Sequence, residues 1–186
     1  MIVLGLDPGT RHFGWGVVRK DGTRLLHVAH GIIHPDVTGT LGERLVTIER
    51  ELCVVIATYA PERASVESLF FAKDLQAASK LGHARGVALL VCARAALPTF
   101  EYAPALVKRT VAGGGRAEKH QVAQMVRALL GLPEVPPADA ADALALAVTN
   151  LQQSLLGPVP SAKSSPLFDI LRRAGAPLHR RRRPPV

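Results

Sequence analysis

Short apolar segments separated by turn-forming residues open this chain, and they constrain its fold more than any other feature of the sequence. The segments cover residues 2–6, 14–18 and 25–33, and Pro8-Gly9 and Asp21-Gly22 lie in the intervals. Apolar runs of this length between glycine-containing breaks are typical of β-strands. The beginning of the chain is therefore predicted to form three short strands in a meander.

Helical periodicity follows the meander. Thr40 and Glu43 have the spacing of a capping box, and apolar residues recur three and four positions apart over residues 41–59. By the same signals, helices are predicted at residues 73–96, 104–111, 117–130 and 138–155, and strands at residues 63–67 and 99–102. Three strands followed by alternating helices and strands predict an α/β fold with a mixed five-stranded sheet flanked by helices.

A change in composition near residue 157 divides the chain into one domain, residues 1–156, and a tail, residues 157–186. The chain has 23 Lys and Arg against 15 Asp and Glu, a net charge of +8. Such a basic balance favours a polyanionic partner, most often nucleic acid. Proline, serine and the Arg180–Arg183 run predict a disordered basic tail that adds nonspecific affinity. The alternative is that residues 167–171 form an apolar anchor for a partner.

No feature of the sequence indicates export or membrane insertion. No basic leader precedes the first apolar segment, and the longest apolar stretch, residues 87–93, is far shorter than the roughly 18 residues of a membrane span. Cys53 and Cys92 lack metal-binding spacing, which favours packed thiols in a reducing compartment. We expect a cytoplasmic protein with no membrane contact.

Four carboxylates stand where a fold of this class places its ligand sites. Asp7 follows the first strand directly, and Glu67 ends the predicted strand at residues 63–67. Asp139 and Asp142 are three positions apart at the start of the last helix, which places both on one helix face within about 6 Å. Sites of α/β sheets lie where strands end, so the four are expected to converge. Their mutual repulsion would require a cation.

Each acid also has an ordinary structural alternative. Asp7 suits a turn, Glu67 a solvated strand end, Asp139 a helix N-cap, and Asp142 a favourable position near a helix dipole. Taken together, these alternatives leave unexplained why only acids occupy these positions. Oxygen ligands select hard ions, so Mg²⁺ or Mn²⁺ is expected. Two such ions about 4 Å apart would activate water and stabilise a leaving 3′ oxygen, which predicts a nuclease.

Five motifs, in order along residues 1 to about 155, resemble those of the RuvC family of bacterial Holliday junction resolvases. They are LGLDPGTR at residues 4–11, VESLFFAK at 66–73, KLGHARG at 80–86, KRTVAGGGRAEK at 108–119 and ADAADALA at 138–145. The resemblance implies an RNase H-like nuclease domain that resolves four-way DNA junctions in recombination and repair. It implies that Asp7, Glu67, Asp139 and Asp142 are the catalytic ligands of two metal ions.

The same resemblance implies partners and DNA contacts. A homodimer would cut two strands of like polarity symmetrically, and the RuvAB branch-migration complex would be a further partner. Phe70 would stack on an unpaired base, Lys108 and Lys119 would lie near the scissile phosphate, and Arg116 would contact the DNA backbone.

Residues Ala78, Gly82 and Gly86 share one helix face, and its role stays open between packing on the chain's own sheet and a helix-to-helix dimer contact. Two other functions compete with the nuclease: a junction-binding scaffold that has lost catalysis, and a phosphotransferase of the actin-like or sugar-kinase type. The phosphotransferase interpretation rests on a phosphate-binding turn at residues 7–10. Proteins of that type need two such domains, whereas this chain has no second turn of this kind and is about half long enough. The seven histidines are scattered without paired spacing, and we expect none of them to be catalytic.

Overall fold

The computed structural model describes residues 1–68 and 75–153, and in its second segment it describes side chains from residue 81 onward. Phe70 and the predicted tail therefore lie outside the described residues. The elements in chain order are β1 (Ile2–Asp7), β2 (Phe13–Asp21), β3 (Arg24–Ile33), α1 (Leu41–Tyr59), β4 (Arg63–Glu67), α2 (Leu75–Arg94), β5 (Thr99–Tyr102), α3 (Pro104–Ala112), α4 (Lys119–Leu130) and α5 (Ala138–Gln153).

The five strands form one mixed sheet in the order β3-β2-β1-β4-β5. The meander β1-β2-β3 is antiparallel, and β4 and β5 run parallel to β1. The predicted sheet is confirmed, and so is the capping box of α1, in which Thr40 and Glu43 bond reciprocally. Within the described residues, no helix is long and apolar enough to cross a bilayer.

The sheet separates two apolar cores. Leu4 and Leu6 of β1 point into a core shared with α1 and α2, whereas Val3 points into a core shared with α3, α4 and α5. This alternation follows from the period of two along a strand. Odd-numbered residues of β1 therefore face the side of the sheet covered by α5, which decides where Asp7 points.

Three glycines let α5 lie directly on the strand backbones. A Cβ on Gly5 would stand 1.8 Å from the carbonyl oxygen of Ala143, and one on Gly14 would stand 2.1 Å from that of Asp139. On Gly16 it would meet a methyl carbon of Leu144 at 2.7 Å. Such distances leave no room for a side chain, so these three positions must be glycine for α5 to lie where it does. No role for these three glycines follows from the sequence pattern.

Several sequence expectations differ from the structure. Residues 117–130 are predicted to be helical, but α4 begins only at Lys119, because Glu118 is its N-cap and donates its backbone N–H to Oε1 of Gln121. Cys92 is buried as predicted, whereas Cys53 is exposed, so the prediction of two packed thiols is wrong for Cys53. It lies on the outer face of α1, away from the core residues of that helix.

Two pairs of histidines also lie close together in the fold. His27 Nε2 and His30 Nδ1 lie 2.8 Å apart, and His12 Nδ1 and His34 Nδ1 lie 3.1 Å apart. The first pair shares a face of β3 because the register shifts beside Val17, where β3 contains one extra residue. These four histidines form two pairs in the fold, and none of them lines the cavities beside Asp7.

The close contact between α5 and the strand glycines can be tested by adding one methyl group. We expect Gly14→Ala to lower the free energy of unfolding by about 1–3 kcal/mol, because the overpacked methyl must push the first turn of α5 away from β2. Urea denaturation measures the change. Gly42→Ala in α1, where the nearest such contact is 4.0 Å away, serves as the matched control and should be neutral or stabilising. Equal effects of the two substitutions would contradict the close contact.

Candidate active site

Asp7 and Glu67 end two adjacent parallel strands at the same edge of the sheet. The ladder between β1 and β4 pairs Leu6 with Val66, and the two acids follow directly. Leu6 and Val66 point into the core under α1 and α2, so by alternation both carboxylates point to the opposite face, which α5 covers. The predicted convergence of these two acids therefore follows from strand parity and register.

The first turns of α5 bring Asp139 and Asp142 to the same edge. Asp7 pairs with Gly14 across the β1–β2 ladder, and the backbone of Asp139 lies against Gly14. Helix α5 begins at Ala138, so Asp139 belongs to its first turn and is not an N-cap. Asp142 follows less than one turn later on the same helix face.

Burial and crowding of like charges raise the pKa of Asp7 to about 7. Loss of hydration is the largest cause, followed by the negative charges of Asp142, Asp139 and Glu67, whereas the positive charge of Lys119 acts in the opposite direction. The pKa of Glu67 is also raised, first by desolvation and then by Asp142. The four acids are therefore close enough to repel one another measurably, as a site built for cations would be.

Lys119 supplies a positive charge next to this cluster. Its Nζ lies 3.0 Å from Oδ2 of Asp142 and donates a hydrogen bond to it. That bond and the charge of Asp142 raise the pKa of Lys119. The Lys119 side chain is 79% exposed and the Asp142 side chain 29% exposed. A solvated lysine therefore offsets part of the negative charge of the acid cluster.

Two small cavities flank the Asp7 and Glu67 carboxylates. One of about 230 Å³ is lined by both acids together with Asp142, Lys108 and Lys119. The other, of about 170 Å³, opens on the opposite side of the same two acids, next to the α2 helix. Asp139 lines neither cavity, although its charge acts on Asp7. A larger cavity of about 500 Å³ between β3 and α1 contains none of the predicted site residues.

The donor set has the chemistry of a site for hard divalent ions. Across residues 1–68 and 75–153, no three His, Cys, Asp or Glu side chains are grouped closely enough to hold a metal ion as they stand. Four oxygen donors with a raised pKa at Asp7 nevertheless match the ligand preference of Mg²⁺ or Mn²⁺. Such an ion keeps several waters and needs only one or two carboxylates, so Asp7, Glu67 and Asp142 around one cavity suit it.

The predicted DNA contacts are distributed around this site. Lys108 on α3 and Lys119 on α4 face the 230 Å³ cavity from two different helices. Arg116 is exposed in the loop between α3 and α4 and does not line the cavity. Phe70 lies outside the described residues.

Arg85 is a site residue for which the sequence pattern suggests no role. It lies on α2, it is 6% exposed, and it lines the 170 Å³ cavity together with Asp7 and Glu67. Its Nη1 donates to the carbonyl oxygen of Glu67, and its Nη2 lies 2.7 Å from Oε1 of Glu101. The one available signal was its place in the motif KLGHARG at residues 80–86.

The raised pKa of Asp7 predicts a pH-dependent cost of its charge. The folded state keeps the proton of Asp7 up to about pH 7, whereas the unfolded chain releases it near the ordinary aspartate pKa of 3.8. Stability therefore falls as pH rises from about 4 to 7. In the presence of a chelator, Asp7→Asn should remove this loss and be more stable than wild type by about 1–4 kcal/mol at pH 8, but not at pH 4, since one pKa unit corresponds to about 1.4 kcal/mol.

Urea denaturation at both pH values measures the difference. Asp36→Asn is the matched control, because Asp36 is exposed and hydrogen bonds from Thr38 lower its pKa. The control should gain no stability between pH 4 and pH 8. An equal gain in both variants, or none in Asp7→Asn, would contradict the proposed crowding of charges around Asp7.

Comparisons with known proteins agree with this geometry. A family model described as crossover junction endodeoxyribonuclease RuvC matches residues 3–150. The crossover junction endodeoxyribonuclease RuvC of Sorangium cellulosum is 55% identical over 184 residues, which cover 99% of this chain and 97% of that protein. The protein of the same name from Rhodopseudomonas palustris is 50% identical over 148 residues, which cover 80% of this chain and 85% of that protein.

Solved structures show the same relationship. T. thermophilus RuvC in complex with a Holliday junction substrate superposes with a TM-score of 0.80 at 36% identity, covering 84% of this chain and 96% of that one. The fowlpox virus Holliday junction resolvase, at a TM-score of 0.53 and 12% identity, shares the fold alone over 83% of this chain and 99% of that one. The RNase H-like fold is thereby confirmed, and this chain belongs to the RuvC family of crossover junction endodeoxyribonucleases.

Proposed function

We propose that this chain is a structure-selective endonuclease that resolves four-way DNA junctions by metal-dependent phosphodiester hydrolysis. The observation that carries the proposal is the convergence of Asp7, Glu67 and Asp142 on one cavity whose walls include Lys108 and Lys119. Metal-dependent hydrolysis of a nucleic-acid backbone uses carboxylates that hold cations next to basic side chains that attract phosphate. Family membership supports the substrate, since the T. thermophilus relative is described in complex with a Holliday junction.

We infer that Asp7, Glu67, Asp139 and Asp142 hold the divalent ions, which we propose are two Mg²⁺ or Mn²⁺ ions per site. The raised pKa of Asp7 supports this assignment, because an added cation would relieve the repulsion that raises it. When bound, such ions supply activation of a water molecule and stabilisation of the leaving 3′ oxygen. The chain itself holds the carboxylates close together and partly excludes water from Asp7.

The basic residues act on the DNA. Lys108 and Lys119 lie on two helices that flank the acids, where their charges attract a phosphate to the cavity and offset the repulsion between phosphate and carboxylates. We keep Arg116 and Phe70 as proposed contacts to the backbone and to an unpaired base. An exposed arginine in the loop after α3 is accessible to a DNA backbone, while the role of Phe70 depends on the family resemblance alone.

We also propose that the active form is a homodimer that contacts itself through α2. Apart from the helix backbone, no described atom lies within 4 Å of a Cβ placed on Gly82 or Gly86, so the chain's own sheet does not use this face. Leu90, one turn further along, is 42% exposed. A two-fold dimer would present two sites to a junction of matching symmetry. A partnership with the RuvAB complex is a proposal that depends on family membership.

The nuclease proposal predicts a loss of cleavage without a loss of binding. Asp7→Asn should slow the cutting of a synthetic four-way junction in Mn²⁺ by more than about 100-fold, since even outer-shell partners of metal ligands contribute about 10- to 100-fold. Junction affinity, measured in Ca²⁺, should be unchanged or higher, because one negative charge near the phosphates is gone. Asp36→Asn, an exposed acid outside the site, is the control.

Wild-type cutting rates in Asp7→Asn would refute the assignment of the site. Junction binding by the wild-type chain without any cleavage in Mn²⁺ or Mg²⁺ would instead favour the scaffold alternative.

The dimer proposal predicts that a charge on the open face of α2 separates the protomers. Gly86→Arg should sediment as a monomer in analytical ultracentrifugation, because the two-fold contact would place like charges opposite each other. Gly42→Arg adds the same side chain to the exposed surface of α1 and should leave a dimer. A dimer in both variants would place the interface elsewhere.

A further inference from the structure

We propose that Arg85 is a positioning residue for the reaction, which fixes the end of β4 and thereby the place of the Glu67 carboxylate. The inference rests on the proposed function, because it gives Arg85 a task only if Glu67 takes part in ion binding and cleavage. In this proposal Arg85 binds neither the metal ion nor the DNA, because it acts through Glu67.

Arg85 joins three elements of the fold with one guanidinium group. From α2 it reaches the carbonyl oxygen of Glu67 at the end of β4, and it forms an ion pair at 2.7 Å with Glu101 of β5. Its side chain is 8% exposed, whereas that of Glu101 is 51% exposed. A planar group with fixed donors holds two acceptors in a defined relation, which a flexible ammonium does not. The end of β4 is thereby tied to both α2 and β5.

The end of β4 needs such support because the sheet stops there. On one side, Ser68 donates its N–H to the carbonyl of Tyr102, which is the last backbone bond to β5. On the other side, the chain continues from β1 into Pro8, which has no N–H with which to extend the ladder. The Arg85 guanidinium supplies a donor to Glu67 where the backbone of β1 cannot.

The reaction depends on the position of the Glu67 carboxylate as well as on its presence. A metal ligand must hold a defined position, and a backbone free to shift at Glu67 would move its carboxylate relative to that of Asp7, which lines the same cavities. Side chains that orient metal ligands from behind contribute about 10- to 100-fold in metal affinity or activity. Helix α2 also carries Gly82 and Gly86, so Arg85 connects the proposed dimer helix with the strand that bears Glu67.

The test compares Arg85→Ala with Arg94→Ala in the full chain. Arg94 lies on the same helix and pairs with Glu49 of α1, so its loss removes an ion pair of α2 away from the site. We expect Arg85→Ala to weaken Mn²⁺ binding, measured by calorimetry without DNA, by about 10- to 100-fold, and to slow single-turnover junction cleavage to a similar degree. Arg94→Ala should stay within about 2-fold of wild type in both measurements.

Arg85→Lys is the conservative variant and also the safeguard against misfolding. Lysine can keep the pair with Glu101 but cannot hold both acceptors in one plane, so Mn²⁺ affinity should fall between those of wild type and Arg85→Ala. If Arg85→Ala does not fold, wild-type Mn²⁺ affinity in Arg85→Lys overturns the proposal. Equal losses in Arg85→Ala and Arg94→Ala overturn it as well, because they would indicate a general effect of destabilising α2.

A double-mutant cycle shows whether Arg85 acts through Glu67. Adding Arg85→Ala to Glu67→Gln should reduce cleavage by less than about 3-fold further, since the positioned group is already missing. Independent, multiplicative losses overturn the proposal. A wild-type chain that binds Mn²⁺ but does not cut junctions would refute the proposed nuclease, and the calorimetric comparison would still decide the role of Arg85 in ion binding.

Discussion

The contact between α5 and the bare backbones of β1 and β2 is the constraint on which the candidate site depends. Gly14 lies against the backbone of Asp139 and pairs with Asp7, so one glycine sets the spacing between the two acids. Any side chain at this position would lift the helix from the sheet. The apolar residues of α5 then stabilise the contact by burial, since residues 140–151 are almost entirely enclosed.

Packing holds the acids together against their own repulsion. Burial and three neighbouring carboxylates raise the pKa of Asp7, and the nearby Lys119 ammonium offsets only part of that charge. A purely structural design would place apolar or paired groups there, and sites that break this rule are commonly functional. A cation bound at the proposed metal site would relieve this repulsion. Arg85 has a complementary task, since it braces the backbone of Glu67 from the opposite face of the sheet.

Local signals in the sequence suffice for the elements and for the four acids. Helix α1 is bounded by a capping box at Thr40 and by Pro61, and the strands alternate in burial, so their positions follow from adjacent residues. Three features could not be predicted in this way: the contact of α5 with Gly14, the hydrogen bond from Arg85 to the backbone of Glu67, and the His27–His30 pair. Each depends on the register between strands or on contacts between residues far apart in the chain.

The sequence by itself determined the type and order of the elements and the placing of the four acids at strand ends and a helix start, because helix periodicity, capping and turn chemistry act over a few neighbouring residues. Only the tertiary structure decided which cavity Asp7, Glu67 and Asp142 share, that Asp139 lines neither cavity beside Asp7, and that the glycine face of α2 has no partner among the described residues. The physical reason is that proximity arises from strand register and close packing, which are properties of the whole assembled sheet and its helices.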